Sequence, residues 1–400
     1  MKRELLMTLA LLAAIGCGER ITAPGLCPEY CPDDRVVLHD TLLLSAVQQD
    51  STFSGFVPAF RAGSMQLVTN AGGVEAIGVA RFFAYAESLL VRPNDTIRAP
   101  VTAIDSFRLE IPVTRRTATL NGLQLEIFRL PAAVDTTADF ASLTPYFQDS
   151  TRLATVDVPD SLSSGRFLAV IPGDAFPTFD ADGRVGALGF RLVAPSATYL
   201  ELGTLDANNS ILMTRFARID SSGTSVGRSE GRLPALDTYL PTATPPSPAG
   251  ALVAGGVPSS RAFLRVNVPA HIVDSATVVR ATLVLVPQSP VVGAVGDTLQ
   301  LVATGITADF GAKSPLVPVP ADSLILRLGR VAIGSADTIR LDVTDLLRGW
   351  TADPDRPRTF VVRAVPEGGS LAAVAFGGST GGAAPTLQVT WIPPVALGDR

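Results

Sequence analysis

From Leu38 to about Ser222 the chain is a succession of short β-branched or leucine-rich runs separated by turn residues. Among them are SMQLV (64–68), AIGVARFFAYA (76–86), FRLEIPV (107–113), LQLEIFRLP (123–131), FLAVIP (167–172), TYLELG (198–203) and ILMTRFARI (211–219). Runs of this length and spacing, bounded by Gly, Pro, Asp and Ser, predict antiparallel strands of a β-sandwich. Helical spacing is nearly absent; Ala138–Leu143 is one short candidate, ended ahead of Pro145. Strands resume at about Ala251 and continue to Trp391. Between the two series, SSGTSVGRSEG and PTATPPSPAG read as a linker by their Ser, Gly and Pro content. The expected organisation is all-β: two tandem jelly-roll-like antiparallel β-sandwiches over residues 38–222 and 251–394, joined by a linker over 223–250.

The two halves read as copies. ARFFAYA (80–86) corresponds to RAFLRVNV (261–268), NGLQLEIFRLP (121–131) to DTLQLVATGIT (297–307), and GFRLVAP (189–195) to TFVVRAVP (359–366). ILMTRF (211–216) corresponds to TLQVTW (386–391). ATVDVPDSLSSG (154–165) aligns with IRLDVTDLLRG, so that Asp157 precedes Asp342 and Asp160 precedes Asp345 by the same 185 residues. In the first copy Pro159 stands in place of the threonine, and no Trp follows.

The stretch Ile339–Trp350, IRLDVTDLLRGW, carries the most local detail. Ile339, Leu341 and Val343 alternate with Arg340, Asp342 and Thr344, the period of a half-buried strand. Thr344 then caps a one-turn helix, Asp345 sits favourably in its first turn, Leu346 and Trp350 share a face, and Gly349 ends it. DVTDLLRGW resembles the signature of DNRLRE-type domains, which are similar to family 96 carbohydrate-binding modules. The flanking order agrees: RAFLRVNVP (261–269) and DSATVVRATLVLVP (274–287) come before it, TFVVRAVP and PTLQVTW (385–391) after. The resemblance covers roughly the last third of the chain. It departs at DPDRPRTF (353–360), where the family often has an Asn-Tyr-Gly turn. It implies a β-sandwich of sugar-binding type. Such sites present aromatic faces to sugar rings. Here Trp350 and Trp391 both read as core residues, and Tyr30, Tyr85, Tyr146, Tyr199 and Tyr239 are scattered.

The N-terminus gives an address. Lys2-Arg3 precedes an apolar run from Leu5 to Ile15, too short to span a bilayer and typical of a signal peptide. It closes with Ala14-Ile15-Gly16-Cys17, which resembles the bacterial lipobox; an ordinary secretory signal is the other reading. Residues 1–16 are then a lipoprotein signal peptide, Cys17 the lipidation site and residues 17–37 a tether. Gly18, rather than Asp, after Cys17 favours the outer membrane. Cys27 and Cys31 remain, an even pair that an oxidising compartment would close as a disulfide, with free thiols as the alternative.

Chemistry is sparse. A net charge of −5 excludes the basic stripe of a nucleic-acid binder. His39 and His271 fall in different expected domains and read as strand-edge histidines. Asp180 and Asp182 in DADG resemble the start of a calcium loop, but its twelfth position is Arg191 rather than Glu, so a turn is the simpler reading. Asp342 and Asp345, with Asp157 and Asp160, are explained by turns and a helix start. No catalytic constellation and no cofactor motif is found. The expected function is a non-catalytic, lipid-anchored envelope protein with a structural, adhesive or scaffolding role. The alternative is polysaccharide binding at the cell surface. The expected partners are the membrane, through the N-terminal lipid, and a polysaccharide or another envelope protein.

Overall fold

Period-two runs become antiparallel strands, and the faces they bury define two main cores with smaller clusters beside them. A computed structural model describes residues 37–71, 74–94, 96–117, 120–174, 186–242, 249–318, 328–380 and 383–394. Strand accounts for 51% and helix for 9%, so the all-β class is what the chain adopts.

The first core lies between two sheets. One runs in the order β1 (His39–Leu43), β23 (Thr386–Ile392), β17 (Thr277–Leu285), β20 (Ile339–Asp342). The other runs β19 (Gly329–Ala332), β18 (Thr298–Thr304), β21 (Thr359–Ala364), β16 (Ser260–Val266), β15 (Leu252–Gly255), β22 (Ala373–Phe376), with β2 (Val47–Ser54) also on β16. Alternation decides what faces inward: Leu387 and Val389 are buried while Gln388 between them is exposed. Leu283, Leu341 and Val389 thus meet Leu264, Leu301 and Phe360 from the opposite sheet. Helix α3 (Thr344–Ala352) follows β20 and turns Leu346, Leu347 and Trp350 into the same core.

The signature is right about this burial and wrong about its ends. Val343, not Thr344, occupies the N-cap position and has no side-chain cap bond. The Thr344 hydroxyl instead accepts from the Ala281 amide of β17 at 2.9 Å, and Asp342 accepts from the Thr344 amide at 2.9 Å. Gly349 does not stop the helix, which continues to Ala352.

The second core is enclosed by one large sheet in the order β13 (Thr224–Arg232), β12 (Leu212–Ser221), β6 (Arg98–Arg116), β11 (Tyr199–Gly203), β3 (Ser64–Ala71), β4 (Val74–Phe82), β10 (Ala187–Val193), β7 (Gln124–Leu130), β8 (Arg152–Asp157). β14 (Pro234–Pro241) pairs with β4, while β9 (Gly165–Pro172) and β5 (Ser88–Leu90) pair with β6. Phe107 and Ile111 of β6 share a core with Leu125 and Ile127 of β7, strands far apart in that order, because the sheet curls over itself. The short helix expected near Ala138 is α1 (Phe140–Leu143), capped by Asp139, whose carboxylate accepts from the Ser142 amide.

Two expected boundaries change. β1 and β2 do not open the first sandwich. They complete the second, pairing with β23 and β16. The stretch 223–250 is not a simple linker, since β13 and β14 occupy 224–232 and 234–241, and Tyr239 of β14 is fully buried. Residues His39–Arg400 form one compact unit. The duplicated motifs keep a common strand order nonetheless. β4, β10 and β7 are neighbours in the same sequence as their counterparts β16, β21 and β18. The pair β12 with β6 likewise parallels β23 with β17.

Candidate functional site

A depression lies on the outer face of the sheet β1–β23–β17–β20. It has a volume of about 470 Å³, and Arg280, Thr282, Arg340, Gln388, Thr390 and Asp40 line it. Cross-strand register sets the arrangement. Asp40 stands opposite Thr390 and Leu42 opposite Gln388, Gln388 is opposite Thr282, and Arg340 is opposite Val284. The inward-facing alternates belong to the core, which leaves these residues outward. Asp40 accepts from the Thr390 hydroxyl at 2.5 Å. Arg280 and Arg340 are exposed, and among the described residues neither guanidinium makes a hydrogen bond or ion pair. The face therefore offers two exposed guanidinium groups around hydroxyl and amide side chains, a donor-rich surface suited to anions and polyols.

Aromatic residues are not part of that face. Trp350 is 1% exposed and packs on Phe360 at a ring distance of 5.0 Å. Trp391, expected in the core, is half-buried at the core's edge, and its indole N–H donates to Thr41 Oγ1 at 3.0 Å. Its ring is already occupied: His39 stacks on it at 4.7 Å and His271 lies against it at 5.3 Å. Tyr85, Tyr199 and Tyr239 are buried, and Tyr146 is exposed.

A second polar site, missed in the sequence, joins the two cores. Gln66 of β3 donates to Asp297 Oδ2 at 2.9 Å and to Glu201 of β11 at 3.4 Å, and its own oxygen accepts from the Leu371 amide at 2.8 Å. Arg115 of β6 bridges the acids, reaching Glu201 at 2.5 Å and Asp297 at 2.8 Å. Ser370 donates to Asp297 Oδ2 at 2.7 Å, and the Thr298 amide donates to its Oδ1 at 2.7 Å. Desolvation raises the Glu201 carboxyl above the ordinary carboxylate range despite Arg115, and burial pushes Tyr199 up to about 12. A cavity of about 220 Å³ adjoins the site, lined in part by Arg115, Glu201, Gln300 and Ser370. Two acids beside a cavity suggest acid–base work, but the positions of Asp297 are filled by four donors. A saturated carboxylate cannot take a proton from a substrate without breaking these bonds, so Asp297 serves as a clamp between its four donors. The sequence signal was the lone Glu in TYLELG, a run buried along its whole length.

The acidic residues of the repeated motif do not converge. Asp157 accepts from Gln124 at 2.9 Å and Asp160 from the Gly122 amide at 3.0 Å, both beside the large sheet. Asp342 accepts from the Thr344 amide at 2.9 Å, and Asp345 sits 3.6 Å from Arg348. Cys17, Cys27, Cys31, Asp180 and Asp182 lie outside the described residues, as do the signal peptide and nearly all of the tether. Among the described residues no group of three His, Cys, Asp or Glu side chains is placed to hold a metal, and no helix is long and apolar enough to cross a membrane. Comparison with protein-family models, curated proteins and solved structures finds no match to the chain. The likeness to DNRLRE-type domains thus rests on its residues alone.

Proposed function

We propose that this chain is a non-catalytic, lipid-anchored protein of the bacterial cell envelope, with a structural or adhesive role. The supporting observation is the use made of residues 39–54. The segment that follows the expected tether is built into both sheets of the C-terminal sandwich, on β23 and on β16. A load applied at the N-terminus then reaches the body through paired strands rather than through a loose connection. The buried acids support the same reading, because they are spent on holding two cores together. Replacing Cys17→Ser is expected to abolish lipid labelling and move the protein from the membrane to the soluble fraction. A variant that fractionates unchanged with membranes overturns the anchor.

A second reading, polysaccharide binding, is favoured by the open face around Arg280 and Arg340. With no free aromatic there, recognition would rest on charge and hydrogen bonds, and acidic polymers are the fitting class. Arg280→Ala and Arg340→Ala are each expected to weaken retention in acidic-polysaccharide affinity gels by about tenfold, the worth of one charge-assisted hydrogen bond. Equal mobility of the unaltered protein in gels with and without acidic or neutral polymers removes this reading.

A further inference from the structure

The sequence contains two histidines, remote from each other in the chain, and both rings rest on one indole. His39 is the first residue of β1 and stacks on Trp391 with an interplanar angle of 21°. His271 lies on α2 (Ala270–Val273) and meets the same ring at an angle of 58°. Both histidines are exposed and Trp391 is half-buried. Trp391 also holds β1 directly, through its N–H bond to Thr41 and the His39–Trp391 backbone register. Three separate elements are thereby fastened at one ring: the strand next to the expected tether, the last strand of the sandwich, and α2.

We propose that His39, Trp391 and His271 form a proton-responsive clasp that tightens the attachment of β1 to the C-terminal sandwich on mild acidification. Neutral imidazole on indole is a weak ring contact. An imidazolium over the same face gains the attraction of a cation for the ring quadrupole. Among the described residues, the acids next to these histidines in the chain are already engaged. Asp40, the acid of β1, is bonded to the Thr390 hydroxyl, and Asp274 at the end of α2 sits 3.5 Å from Arg358. Arg280 of β17 stands opposite Thr390, and Arg348 of α3 donates to the Val278 and Val279 carbonyls. These arginines, and each imidazolium for the other across the shared indole, are the like charges nearby, and they keep the gain modest. The clasp does not depend on the anchor: it acts on β1 whether or not Cys17 carries a lipid.

The test uses the whole chain and its two Trp residues. An imidazolium in contact quenches indole emission, and Trp350, buried against Phe360, touches no histidine ring. Emission is expected to fall from about pH 8 to about pH 5, where imidazoles change charge. That fall is expected to vanish in Trp391→Phe and in the double variant His39→Gln, His271→Gln. Over the same range, amide-exchange protection factors of β1 are expected to rise about two- to five-fold, the gain of an exposed cation–ring contact. Emission that is flat with pH, or a fall that survives in the double variant, overturns the clasp. If the double variant is misfolded by circular dichroism, the exchange measurement on the unaltered protein decides: level or falling protection of β1 rejects it.

Discussion

Trp350→Ala is expected to lower the unfolding free energy by about 3–5 kcal/mol, as for large aromatic deletions in cores. The indole is 1% exposed and lies on Phe360, at the point where α3 closes the sandwich. The walls of the resulting cavity cannot readily collapse. Phe360 belongs to β21, which is paired on both edges by β16 and β18. The helix itself is pinned at its start, where Val343 donates its amide to the Ala281 carbonyl at 3.0 Å and Thr344 bonds the Ala281 amide. The loss therefore appears as an unfilled cavity rather than as a shifted helix. Chemical denaturation followed by circular dichroism measures it. A loss under about 1 kcal/mol, the size of an ordinary surface change, would mean the indole does not bear on the core.

What the sequence revealed follows from what period and propensity encode. Alternation marked most strands and the inward residues of β23, because facing in or out is a local property of a strand. Partner choice is not local. The runs that became β1 and β2 say nothing of β23 or β16, hundreds of positions later, and adjacency in sequence suggested the wrong sandwich. Composition misled at 223–250: Gly and Ser suit a linker, yet Thr224–Arg232 forms an alternating hairpin strand against β12. The prolines of β14 stand at its ends, where they cost the ladder least. Thr344 shows the same limit at one residue, since its hydroxyl could cap a helix or bond a neighbouring strand, and only the tertiary fold selects the strand. The histidines read as unconnected strand-edge residues of different expected domains because they lie far apart in the chain; Trp391 unites them, with His271 on α2.

Asp297→Ala is expected to cost about 3–5 kcal/mol, the penalty for removing one partner of a buried charged pair. The Asp297 side chain is fully buried, and its loss would strand the Gln66 amide, the Ser370 hydroxyl and one arm of Arg115 together. Those groups come from both sides of the junction: Gln66 and Arg115 from the large sheet, and Ser370 from the chain leading to β22. The damage should therefore fall on the coupling between the cores as well as on total stability. Calorimetry is expected to show one transition in the unaltered protein and two in Asp297→Ala. A double-mutant cycle with Gln66→Leu is expected to return a coupling of about 0.5–3 kcal/mol. A single transition with less than about 1 kcal/mol lost would show that the clamp carries nothing. Glu201 sets the pH signature. Its carboxyl is raised in the fold, so the folded chain holds its proton more tightly than the unfolded one. The stability it contributes is complete below the unfolded carboxylate range and is lost as pH rises through its raised value. Glu201→Gln, which keeps the shape without the titration, is expected to flatten that part of the stability profile. Persistence of the slope would assign it to another acid, with Asp237, also raised by burial, as the next to replace.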